Sequence, residues 1–194
     1  MEQDYDGSAQ TDQLNMREDI WSPAKEIGLP QDLRVWVEEK ILLNLVLNAV
    51  QSVCEGDAGK STPDLPAGLP RTLLAILIYS YALGVYGSAE IEARVPADPN
   101  RRYLSAGARP TWHYLRRFRR QNKCLVQDAL GKTYQIAREC RRRSLPPRFP
   151  TSSDAYDIFL VNDFSDAERQ RFVAWAAVGW INRAVMWDSM ALDE

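Results

Sequence analysis

The sequence predicts an all-α protein, a helical bundle, and three observations predict it. Leu33, Trp36, Val37, Ile41 and Leu45 recur at helical spacing inside a run that opens at Pro30 and Asp32 and closes at Gly56. Thr72 to Ala89, "TLLAILIYSYALGVYGSA", is an eighteen-residue stretch without a charge. Such a length stands at the threshold of a membrane span, but its Ser, Gly and Tyr content suits a helix buried on all sides in a bundle. Near the C-terminus, Ser165 and Glu168 have the spacing of a capping box, and they open a segment whose Phe172, Trp175, Val178 and Trp180 are available for packing.

The remaining elements follow in order. Residues 1–15 are acidic, lack apolar periodicity and are expected to be a disordered tail. Residues 16–145 form the main helical domain. Within it, Gly, Pro, Ser and Asp mark a loop between Glu55 and Leu69, and the apolar helix runs from Pro70 to about Tyr86. Ser88 is placed to cap a short helix, "AEIEARV", which Pro96 and Pro99 end. "NRRYLSAG" has room for one further turn, Thr111 offers a new N-cap for a basic helix from Trp112 to Gln121, and another helix reaches about Arg143. Residues 146–164 are a Pro-rich linker holding the apolar "DIFLVNDF", and residues 165–194 carry the C-terminal helix.

The net charge of -2 conceals a sharp asymmetry. From Arg101 to Arg148 there are 14 Lys and Arg against only Asp128 and Glu139, a local +12, and the rest of the chain carries 10 against 24, or -14. A basic block of that density points to a polyanionic partner. Three separated cysteines and one histidine argue against a zinc site and against a disulfide framework. The acidic, polar N-terminus is unlike a signal or transit peptide, so a cytoplasmic protein is expected, with no membrane association.

Two motifs invite chemistry and do not sustain it. "CEGDAGKST" ends like a phosphate-binding loop, but Cys54 stands where the signature needs a glycine, a helix precedes the loop, and Pro63 follows it. His113 has no second histidine, and no Cys-His or Ser-His-Asp set can be placed by spacing. No catalytic residue, metal or cofactor is expected, and the chain reads as a non-enzyme.

The stretch Ala108 to Asn122, "ARPTWHYLRRFRRQN", is the strongest functional signal. Arg116, Arg117, Arg119 and Arg120 cover much of the circumference of one helix, while Leu115 and Phe118 dock it on a core. A guanidinium chelates guanine edges or clamps phosphate, so these four arginines are the candidate contacts to duplex DNA, with Arg101, Arg102, Arg109 and Lys123 as flanking phosphate contacts. A solvated basic face, or a patch for an acidic protein, is the alternative.

Leu69 to Asn122 also resembles the InsH-type N-terminal domain of bacterial insertion-sequence transposases. The likeness rests on Pro70, Leu73, Leu74, Tyr81 and Gly84, then Ser88 and Glu90, then Arg102, Tyr103, Leu104 and Gly107, then Arg109, Pro110, Phe118, Arg119 and Arg120. It implies a helix-turn-helix-like module that binds the terminal DNA of an insertion element during transposition. In that family an RNase H-like domain with an Asp-Asp-Glu triad follows. Here 46 residues follow Arg148, too few for such a domain, and Thr111 and Trp112 replace the Asp and His common after the Pro. The resemblance therefore implies a transposase-derived DNA-binding protein or a transposase lacking its triad. A protein-interaction role is the alternative: self-association through the C-terminal helix with Trp175, Trp180 and Trp187, or regulation of a full-length transposase.

Overall fold

The computed structural model describes residues 29–56, 69–144 and 165–190, and all of these but Leu29 belong to one compact unit. The expected tail, the loop carrying Gly59-Lys60-Ser61, and the Pro-rich linker with "DIFLVNDF" lie outside the described residues. Among those described there is no strand, only a single bridge between Asp32 and Leu83. The fold is an all-α bundle: a short 3-10 turn (Leu33–Val35) and seven helices, α1 (Glu39–Gly56), α2 (Leu69–Ala82), α3 (Ser88–Arg94), α4 (Pro99–Leu104), α5 (Trp112–Gln121), α6 (Lys123–Ser144) and α7 (Asp166–Met190).

The long first helix expected from Pro30 is divided. Asp32 accepts from the Arg34 backbone N–H at 2.9 Å and from the Arg34 side chain, which closes a separate turn before α1 begins at Glu39. A local side chain to backbone bond has outcompeted helix continuation.

Helix α2 is the centre. Every residue from Leu73 to Ala82 is buried, and the helix packs against α1, α4, α5 and α6. No helix among the described residues is long and apolar enough to cross a membrane. Helix α2 ends at Ala82, short of Tyr86, because Gly84 takes a left-handed φ of 74° and the Val85 N–H turns back to the Ser80 carbonyl at 2.9 Å. A Cβ there would also approach the Gln31 carbonyl oxygen to 3.4 Å.

Three successive polar residues of α2 each hold a different neighbour. The Tyr79 hydroxyl donates to Glu39 of α1 at 2.9 Å and accepts from Asn100 of α4, also at 2.9 Å. Ser80 accepts from Arg101 Nε at 3.2 Å, and the Tyr81 hydroxyl accepts from Arg119 of α5 at 3.0 Å. In a buried stretch otherwise apolar from Leu73 to Ala82, these bonds satisfy groups that would cost a few kcal/mol each if buried alone.

Helix α6 packs on α1, α2 and α7. Its Tyr134 is fully buried, stacks on Trp180 of α7 with centroids 4.3 Å apart, meets Trp36 edge-on at 6.4 Å, and donates its hydroxyl to the Pro30 carbonyl at 2.8 Å. Burying an indole and a phenol together removes enough apolar area to contribute several kcal/mol. Helix α7 opens with the expected box: the Glu168 carboxylate accepts from the Ser165 N–H and hydroxyl at 2.8 Å each, and Ser165 Oγ accepts from the Glu168 N–H at 3.3 Å. Trp180 enters the core as expected of this segment, whereas Trp175 and Val178 face outward.

Candidate nucleic-acid interface

Helix α5 forms where the sequence predicts it, but its start is fixed from elsewhere. Thr111 is the N-cap residue in an extended conformation, yet its side chain makes no capping bond. Glu92 of α3 takes that role, its carboxylate accepting from the Trp112 N–H at 2.7 Å. A carboxylate at a helix N-terminus satisfies an orphan donor and meets the positive end of the dipole. The connection from α4 passes through Ala106 and Gly107, both left-handed with φ of 49° and 81°. This turn aims the chain from α4 into α5, and Gly107 is suited to it.

The four arginines of α5 divide between two faces. Leu115, Phe118 and Arg119 are buried, at positions i, i+3 and i+4 of one stripe. At ~100° per residue, Arg116, Arg120, His113 and Arg117 occupy an adjoining arc of roughly 100° on the other side. There His113, Arg117 and Arg120 are exposed and Arg116 is half-buried. Gln121 and Tyr114 extend this face, and Trp112 stacks on His113 with centroids 3.4 Å apart.

Two of the expected contact residues belong to the interior. Arg119 is 1% exposed: it forms an ion pair with Asp188 of α7, donates to Tyr81, and approaches Ser88 Oγ at 3.4 Å. Asp188 in turn accepts from the Ser88 N–H and hydroxyl, each at 2.8 Å. Burial disfavours the Arg119 charge, but Tyr81 and Asp188 more than offset it and hold its pKa above the ordinary value. Burial also pushes the Tyr81 phenol up to about 12, Arg119 opposing it.

Arg101 is 4% exposed, paired with Asp98, bonded to Ser80 and lying 5.4 Å from the Tyr79 ring centroid. Both residues are thus withdrawn from any surface that meets a partner. The reason is the same for each: its position falls on the packed face of its helix, and an acidic partner is built in to receive it. Ser88, expected as an N-cap, is the first residue of α3, with Gly87 in the cap position. Its side chain is committed to Asp188.

The other expected residues remain outside. Arg109 is exposed just ahead of α5, and Lys123 is exposed just beyond it, with Nζ 3.4 Å from Asn182 Oδ1. Arg102 is exposed on α4, which packs on α2. Arg102, Arg109, Arg116, Arg120 and Lys123 have no carboxylate partner among the described residues. The end of α6 differs, because Glu139 binds both Arg142 and Arg143 at 3.1 and 3.0 Å. The hydrogen bond from Arg142 holds the Glu139 carboxyl below its ordinary value. Part of the positive charge there is compensated within α6.

Sequence reasoning missed Asp188 and Glu92, and it missed the part that Ser88 and Tyr81 take in the Arg119 cluster. A signal existed for the first: Val173, Ala177, Trp180, Ile181 and Ala184 mark the buried face of α7, and Asp188 continues that stripe by four residues. No group of three or more His, Cys, Asp or Glu side chains gathers as a metal site among the described residues. A cleft of about 330 Å³ between α1, α6 and α7 is lined by Val53, Asp128, Lys132 and Val178 among others. No family model, curated protein or solved structure matches the chain.

Proposed function

We propose that this protein binds duplex DNA through the exposed face of α5, as a transposase-derived helical module of the kind its resemblance to the InsH-type N-terminal domain implies. The observation that carries the reading is the segregation of charge on α5. Leu115, Phe118 and Arg119 anchor the helix, while Arg116, Arg117, Arg120 and His113 share one outward arc. Helices α3, α4 and α5 are the helix-turn-helix-like unit in this reading, with α5 presented to the duplex and Arg109 and Lys123 reaching phosphates at its two ends. Insertion-element ends are the DNA that the resemblance favours. Binding is non-catalytic.

The test is a titration of labelled duplex DNA at several salt concentrations. Arg109, Arg116, Arg117, Arg120 and Lys123 together call for a log-log salt slope of roughly -4 to -5. A protein that has no affinity for duplex at low salt, or an affinity indifferent to salt, does not fit this function.

A further inference from the structure

Helix α7 is apolar on two opposite faces. Its inner face, Val173, Ala177, Trp180, Ile181 and Ala184, is buried on the bundle. Its outer face carries Trp175 at 50% exposure, Val178 at 37%, Val185 at 37%, Met186 at 43% and Met190 at 46%. At ~100° per residue, these five fall within an arc of about 140°, with Gly179, Asn182 and Ser189 inside the same arc. A polar surface is expected on the solvent side of a bundle helix, and this one carries five large apolar side chains over four turns, Val178 at its edge next to the α1–α6–α7 cleft, with Asn182 and Ser189 between them.

We propose that this stripe is a self-association surface on which α7 of a second copy of this chain packs antiparallel. The inference does not depend on the DNA-binding reading. Its basis is the self-complementary order of the stripe about Asn182. A two-fold axis through Asn182 brings Val178 opposite Val185 of the partner subunit and Gly179 opposite Met186 of the partner subunit, and it sets each Trp175 against the far end of the other stripe. The isologous rule is met at each pair: if one residue touches another across the axis, the reciprocal contact exists too.

Gly179 is the telling position. A Cβ built there meets nothing within 4 Å, so the glycine serves no internal packing and leaves a notch on the outer face. Met186 of the second copy has the length and flexibility to fill it. Asn182 sits on the axis; its Oδ1 accepts from Lys123 Nζ at 3.4 Å within the copy, and its Nδ2 is left to donate to the amide oxygen of Asn182 of the partner subunit. One polar residue in an apolar seam is the known device for fixing register and partner number. The apolar side chains expose on the order of 400 Å² per copy, so with Arg171 and Ser189 at the rim the pair buries on the order of 800 Å² of apolar surface, below the roughly 1,200 Å² of stable interfaces and within the range of weak, transient ones. A reversible dimer follows, rather than an obligate one.

The test is sedimentation equilibrium of the full chain over the micromolar to hundreds-of-micromolar range, alongside a V178K/M186K variant. Both positions are exposed, so circular dichroism and the thermal melt should stay as in the parent chain. The parent should show a monomer–dimer equilibrium, and the variant should raise the dissociation constant about 100-fold or more, since four lysines would face one another. The register is read by N182C in a chain whose Cys54, Cys124 and Cys140 are serine: oxidation should give a covalent dimer, whereas Q121C on α5 should not. A parent that stays monomeric, an association indifferent to V178K/M186K, or a dimer that N182C fails to link overturns the proposal.

Discussion

Arg119 of α5 and Asp188 of α7, 69 residues apart in sequence, form a buried ion pair whose side chains are 1% and 6% exposed. The pair ties the basic helix to the C-terminal helix, and Ser88 and Tyr81 complete the polar cluster from α3 and α2. Arg119→Ala or Asp188→Ala leaves one charge buried without its partner and should cost about 3–5 kcal/mol of stability. The double variant R119M/D188L removes both charges at similar volume and should lie closer to the parent. Urea denaturation of the four chains measures this. A loss no greater than that of a surface pair, below about 1 kcal/mol, would place the pair in solvent.

The buried tyrosines predict the alkaline limit of the fold. Burial raises the phenols of Tyr79, Tyr81, Tyr86 and Tyr134, that of Tyr81 to about 12. Because their folded values lie above the unfolded value near 10, the stability they contribute is complete below about pH 10. It is lost as pH rises through their folded values. Urea midpoints should therefore be level from neutral pH to about 10 and fall beyond it, and Tyr81→Phe should make the fall shallower. A midpoint that holds to pH 12 would show phenolates accommodated in the core.

Glu92 predicts a link between α3 and the start of α5. Its carboxylate receives the Trp112 N–H that Thr111 leaves uncapped. Glu92→Ala should cost about 0.5–2 kcal/mol, the range of a lost N-cap, and Thr111→Ala should cost less. Thermal melts of the two variants check the order. A larger loss for Thr111→Ala would return the cap to the local residue.

Most of the fold was legible because most of it is local. Apolar periodicity placed α1, α6 and α7, the capping box at Ser165 and Glu168 is present, and the uncharged run became the central helix. What sequence could not supply were bonds between residues far apart. Thr111 and Ser88 are good N-caps by propensity, yet Glu92 takes the first role and Asp188 claims the second side chain. The arginines show the same limit. Their types indicate a polyanion, but only packing divides Arg119 and Arg101 from Arg116 and Arg120. The spacing of Arg119 with Leu115 and Phe118 was the one local hint of its burial.

The most direct measurement of the central claim is the salt dependence of duplex binding by the parent chain and by R116Q/R120Q. Both arginines lie on the outward arc and have no carboxylate partner among the described residues. The variant should bind more weakly at low salt, with its log-log slope shallower by about 2, since each lost phosphate contact removes close to one counterion. An unchanged slope and affinity, with the fold intact by circular dichroism, would contradict the assignment of the exposed face of α5 as the DNA-binding surface.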